Sequence, residues 1–338
     1  MNRLKQVLLI GVAVAAVGIL ASLVATPAEG HIAETGRASD VTLNLVAYST
    51  PKDAYAKLIP AFQATTGHNG VSFNQSYGPS ETQAQAVVNG LPADVVEFSL
   101  QLDMDTLVKA GLVAPTWNHN AYHGFVTRSV VVLIVRKGNP KHIHGWDDLV
   151  KPGIQVITPN PFTSGGARWN ILAAYGAQLK EGKTPAQAVT YLHQLFRRVV
   201  VQDSSARNAL NTFLGGKGDV LITYENEAIY ARQHGFDGSW IVPPATIRIE
   251  NPIAVLKNSP HRDLANTFVN FLYTPTAQKL FADAGYRPVL KSALAGHSFP
   301  VPKQLFDINF FGGWDRAQKK FFDRNTGIMA QIENSLGH

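Results

Sequence analysis

The stretch ITPNPFTSGGARWNILAAYG, Ile157 to Gly176, passes from an apolar segment through a loop of proline and hydroxyl residues and two glycines into a helical pattern. That order makes a strand-to-helix junction. In an open parallel sheet, ligands bind beyond the carboxyl ends of the strands, where helix starts point unpaired N–H groups outward. Ser164 stands at the N-cap position, and Gly165 and Gly166 lack a Cβ, so their backbone can approach a ligand closely. The junction is suited to an anion.

The same pattern occurs twice more. QSYGPSETQ follows a strand and sets Ser80 at a helix start with Gln83 three residues on, the spacing of a capping box. VVVQDSSARNAL sets Asp203, Ser204 and Ser205 before a helix expected to begin near Ala206. Three such junctions suggest one shared cleft. Around them strands and helices alternate: strands at Val41–Thr50, GVSFNQSYG, ADVVEFSL, the β-branched run SVVVLIV (Ser129 to Val135), IQVITPN, Val199–Val201 and DVLITY. Helical patterns separate them, as in a parallel sheet with helical crossovers. The fold class expected is α/β.

Composition allows one large or two ordinary domains, since 45% of the 338 residues are hydrophobic. The net charge of +6 is scattered and forms no basic stripe, so no nucleic-acid partner is expected. No cysteine occurs, which excludes disulfides, thiolate catalysis and Cys-ligated zinc. Asn2 to Lys5 make a basic start, and Val7 to Ala25 carry no charge before small residues at Ala25 and Ala28. This layout predicts a secretory signal over residues 1–28 and a periplasmic location, with an uncleaved anchor as the rival reading.

The segments NPFTSGGARWN, DSSARNALNTF, GDVLITYENEA and FGGWDRAQKKFF resemble those of the periplasmic sulfate-binding proteins, soluble receptors of sulfate and thiosulfate ABC importers. The resemblance runs from about Val41 to the C-terminus. It implies a two-lobed periplasmic binding protein of type II, each lobe a mostly parallel sheet flanked by helices, with the ligand between the lobes. It also implies a monomer that works with a membrane permease. Carried over to this chain, Ser80 would give its hydroxyl and N–H, Ser164 its hydroxyl, Gly165, Gly166 and Ala206 their N–H groups. Tyr224 occupies a position where the family usually has a tryptophan. Arg168 and Ser205 would support the site without touching the ligand. No cofactor or metal is implied.

Three departures bear on ligand choice. Tyr224 donates through a hydroxyl at a different reach from an indole N–H. Glu81 stands where the family's GGSGKQ carries no acid; it is expected to face solvent, and facing inward it would accept the proton of a hydrogen phosphate. Phe162 replaces a usual lysine. Phosphate or molybdate is therefore the rival ligand. The rival class is an exported hydrolase or transferase on a similar scaffold.

Enzyme motifs are weak. Gly176, Gly182, Lys183 and Thr184 have the composition of a phosphate loop, but five residues separate the glycines instead of four and a helix precedes them. No serine sits in a G-x-S-x-G elbow. Alternation in YENEAI places Glu225 and Glu227 on one face, with a polar hinge as the alternative to a carboxylate pair. His119 with His123, and His142 with His144, lack a further ligand at metal spacing. The chain is expected to cross between lobes near Thr127–Val135 and again near Ile241–Asn251. This gives lobe 1 as residues 29–128 plus 247–338 and lobe 2 as residues 129–246.

Overall fold

The computed structural model describes residues 41–337; the expected signal over residues 1–28 lies outside the described residues. Strands and helices alternate through the first part of the chain: β1 (Val41–Tyr48), α1 (Lys52–Gln63), β2 (Val71–Gly78), α2 (Ser80–Val88), β3 (Val95–Glu97) and α3 (Gln101–Lys109). The long strand β4 (Phe125–Val135) leads into β5 (Val156–Pro159), α4 (Gly165–Lys180), α5 (Pro185–Phe196), β6 (Val199–Asp203), α6 (Ala206–Leu214), β7 (Val220–Tyr224) and α7 (Glu225–Gln233). After β8 (Ser239–Ile241) and a second long strand, β9 (Ala245–Val255), come α8 (Arg262–Leu272), α9 (Pro275–Asp283), β10 (Arg287–Pro288), β11 (Gln304–Phe306), α10 (Trp314–Ala317) and α11 (Ile328–Leu336).

The strands lie in the order β2-β1-β3-β9-β4-β7-β5-β6, with β8 and β10 also pairing with β4 and β11 with β9. Both ends of this order are parallel: β1 pairs with β2 and β3, and β5 with β6 and β7. The middle is antiparallel. β4 pairs with β9 from Phe125 to Val130 and with β7 from Val131 to Val135, while β9 pairs with β3 through Ile253 to Val255. Two long strands thus join two parallel halves, which is the two-lobed α/β class the sequence implies.

The apolar run of β4 has a physical use. Alternate side chains of a strand point to opposite faces, and here Val131, Leu133 and Val135 enter one core while Val130, Val132 and Ile134 enter another. Both faces are covered, so no polar alternation is needed. Helix α4 is buried almost all round for a similar reason, packed between the sheet and the chain's C-terminal elements.

Those C-terminal elements pack in two places. α8 and α9 do pack on the first half, where Phe268, Phe271 and Phe281 meet Tyr55, Leu58 and Phe62. Beyond them, Phe306, Trp314, Phe321, Phe322, Met329 and Ile332 share a core with Trp169, Leu172 and Tyr175 of α4 and Leu192 of α5. The segment from Gln304 onward therefore packs on α4 and α5. The cause is local: α4 is apolar nearly all round, and these side chains, with those of α5, cover it. Gly176 lets them close in, since a Cβ there would lie 2.5 Å from the Phe306 ring.

Candidate functional site

The loop between β5 and α4 is held by its own residues. Asn160 Oδ1 accepts the Phe162 N–H at 2.8 Å, its carbonyl accepts the Ser164 N–H at 2.9 Å, and Arg168 Nε donates to the Pro161 carbonyl at 2.9 Å. Arg168 thus ties the first turns of α4 to the loop before it. Ser164 is the N-cap residue of α4, yet its hydroxyl makes no capping bond to the helix. At α6, by contrast, Ser205 caps by accepting the Asn208 N–H at 3.2 Å, which fixes Ala206 as the first helical residue.

These helix starts converge. A Cβ built on Gly166 would lie 2.8 Å from Tyr224 Cε2 and 3.3 Å from Ala206 Cβ. One built on Gly165 would lie 2.5 Å from Ser99 Oγ. Ser99 in turn bonds both remaining partners: its N–H donates to Ser80 Oγ at 2.9 Å, and its hydroxyl shares a 2.5 Å bond with the Tyr224 hydroxyl. Ser80, Gly165, Gly166, Ala206 and Tyr224, placed together by reading the sequence, are thus gathered at one buried point. Ser99 was missed. It stands between β3 and α3, a fourth strand-to-helix junction, and its carbonyl is held by Trp169 Nε1 at 2.8 Å and Asn251 Nδ2 at 3.1 Å.

Four expectations require correction. Ser80 does not cap α2; Pro79 holds the N-cap position, Ser80 is the first helical residue, and its hydroxyl donates to Asp103 Oδ2 at 2.5 Å. That leaves the Ser80 N–H, one of the unpaired donors at the start of α2, as its offer to a ligand. The capping box expected there occurs instead at Thr184 and Gln187 of α5. Glu81 is not left free toward solvent or ligand. It is bonded by Arg168 and, at 2.8 Å, by Arg324, because both arginines crowd the start of α2. Glu225 and Glu227 do not share a face, since the segment is helical and residues two apart diverge; Glu225 pairs with Arg287 at 2.6 Å and Glu227 with Arg207 at 2.8 Å.

Glu81, Glu225 and Glu227 are consequently consumed in ion pairs with arginines, and the donors at the helix starts are neutral. Burial drives the Tyr224 phenol well above its ordinary pKa, with the Ser99 hydrogen bond acting the other way, so it stays protonated. A pair of hydroxyls shares one bond, so one proton of the Ser99–Tyr224 pair remains to donate. Burial pushes the Asp103 carboxyl up to about 6, opposed by the nearby Arg168 charge and the Ser80 hydrogen bond. Phe162 lies beside Arg324, which bonds its carbonyl at 2.9 Å. His119, His123, His142 and His144 are loop residues, and no group of three or more metal-ligating side chains occurs among the described residues. A cavity of about 500 Å³ adjoins the site, lined among others by Thr50, Asp53, Arg207, Glu227 and Tyr286.

Two parallel half-sheets joined by β4 and β9, with helix starts from both halves meeting at one buried polar point, define a periplasmic binding protein of type II. Known proteins agree. The chain belongs to the bacterial extracellular solute-binding protein family, whose model matches residues 43–287. A sulfate-binding protein of Synechococcus elongatus is 40% identical over 299 residues, 85% of each chain. A thiosulfate-binding protein of Pseudomonas aeruginosa is 36% identical over 85% of this chain and 90% of its own. Among solved structures, the sulfate-binding protein SubI from Mycobacterium tuberculosis superposes with a TM-score of 0.81 at 44% identity, covering 84% of this chain and all of SubI. No helix among the described residues is long and apolar enough to cross a membrane.

Proposed function

We propose that this chain is the periplasmic receptor of an ABC importer for sulfate or thiosulfate, a monomer that binds the anion and hands it to a membrane permease without chemical change. The observation that carries the proposal is the meeting of the α2, α4 and α6 starts at one point, with Glu81, Glu225 and Glu227 around it each paired with arginine. The N–H groups of Ser80, Gly165, Gly166 and Ala206, the Ser164 hydroxyl and the proton left on the Ser99–Tyr224 pair are the donors. Helix starts favour an anion through their partial positive charge, and exclusion of water strengthens each neutral hydrogen bond.

The lobes of this reading are residues 41–128 with about 247–303, and residues 129–246 with 304–336, hinged where β4 and β9 pair. Closure about that hinge buries the anion and gives the permease a face to recognise. A fully ionised anion is favoured over hydrogen phosphate because Glu81, the acceptor considered for a ligand proton, is occupied by two arginines. The test is calorimetric titration of ligand-stripped protein with sulfate, thiosulfate, phosphate and molybdate at neutral pH. Sulfate or thiosulfate is expected to bind with phosphate silent. Phosphate binding with sulfate silent would overturn the assignment, and turnover of any ester or transfer substrate would overturn the receptor class.

A further inference from the structure

Tyr48 is the last residue of β1 and stands at the carboxyl end of that strand, the end at which an open sheet meets its ligands. The other large side chains of β1 stay within their own half. Leu43 and Leu45 join the core shared with α1, α8 and α9, and Val46 joins that of α2 and α3. Tyr48 instead joins the core around α4, α5 and β7, where Leu100, Ala206 and Tyr224 are its companions. Its ring lies 6.2 Å from that of Tyr224, centroid to centroid. A side chain of the first half thus reaches the place where the starts of α4 and α6 meet.

Packing explains the ring and leaves the hydroxyl over. Tyr48 is 2% exposed, and its hydroxyl has no hydrogen-bond partner among the described residues. Thr50 lies nearby, but its hydroxyl is shared with Tyr286 at 2.8 Å. Glu97 lies on the neighbouring strand β3 with one oxygen held by Tyr55; its other oxygen is also unbonded, so it and the Tyr48 hydroxyl are not in bonding position toward each other. A buried hydroxyl without a partner is costly. Burial also drives the Tyr48 phenol well above its ordinary pKa, so it holds its proton and is a neutral donor like the helix starts beside it. The acceptor that serves all of these donors at once is an anion between them. We propose that Tyr48 is a further anion-binding residue: its hydroxyl donates to the bound sulfate or thiosulfate from the first half, facing the starts of α4 and α6. This rests on the reading of the chain as a receptor for those anions.

Tyr48→Phe keeps the ring and its packing and removes only the oxygen. Sulfate and thiosulfate binding to the full mature chain, wild type against this variant, is measured by calorimetry, and thermal unfolding of both proteins is followed free of anion. The variant is expected to bind about 10–150-fold more weakly, the range for a hydrogen bond to a charged group. Its anion-free midpoint should be unchanged or higher, since a buried hydroxyl without a partner is gone. Affinity equal to or above that of the wild type would overturn the assignment. So would a lower anion-free midpoint, which would give the hydroxyl to the fold through Thr50 or Glu97. If the wild type binds neither sulfate nor thiosulfate, the receptor reading falls and the assignment with it; an unaltered variant of a binding wild type refutes the role of Tyr48 alone.

Discussion

Gly165 illustrates how a single residue serves two masters. As the first residue of α4 it would be replaced with profit by alanine, which has the better helix propensity, and nothing in its backbone demands glycine. The neighbourhood forbids it. An alanine Cβ would lie 2.5 Å from Ser99 Oγ and 2.9 Å from Leu100 Cδ2, atoms of the opposite half. Gly165→Ala should therefore wedge the cleft and cost about 5–150-fold in sulfate affinity, given about 1–3 kcal/mol for overpacking of this kind. Calorimetry decides it, and unchanged affinity would remove Gly165 from the seat. Ser164, Gly165 and Gly166 were legible in the sequence because a capped, glycine-rich turn after a strand is a local pattern. Ser99 was not, because one serine before a short helix carries no mark of what lies opposite. The role of Ser80 was misread for a related reason: the sequence shows a hydroxyl at a helix start, but Asp103, 23 residues away, takes its proton.

At the scale of elements, β4 and α4 announce themselves by composition, and their neighbours do not. The uninterrupted apolar run from Val130 to Val135 requires cover on both faces, and α4 requires it nearly all round. Which segment supplies the outer cover of α4 is not marked in the sequence, since an aromatic-rich C-terminus can satisfy any apolar face. Phe322 is fully buried against this part of the molecule. Phe322→Ala should lower the unfolding free energy by about 3–5 kcal/mol, measured by denaturant titration. A change below about 1 kcal/mol, the scale of ordinary surface substitutions, would mean that the C-terminal segment does not belong to that core.

The stability of the whole molecule should depend on pH through two buried acids of the first half. Burial pushes Glu97 up to about 8, offset by the 2.5 Å bond it accepts from Tyr55, and Asp103 up to about 6. Both folded values lie above the ordinary ones, so between the two the folded chain binds more protons than the unfolded chain. The contribution of these two groups is then highest below about pH 4 and falls as pH rises, through Asp103 up to about 6 and through Glu97 up to about 8, with a slope of about 1.4 kcal/mol per pH unit for each group. Glu97→Gln, which mimics the neutral acid, should flatten the curve of unfolding midpoint against pH between 6 and 8 and leave the lower limb in place. A midpoint that falls as steeply in the variant would assign the slope to other groups.

By itself the sequence determined the alternation of strands and helices, the three hydroxyl-rich junctions and the family they resemble, because capping, glycine freedom and side-chain periodicity act over a few residues. Tertiary structure decided which charges are neutralised. Glu81 meets Arg168 and Arg324, and Arg207 meets both Asp53 and Glu227, across separations of up to 243 residues. It also decided where Gln304 to Leu336 pack. Ion pairs and apolar faces accept any partner of suitable charge or shape, so only the topology of the sheet, with β4 and β9 at its centre, selects among them.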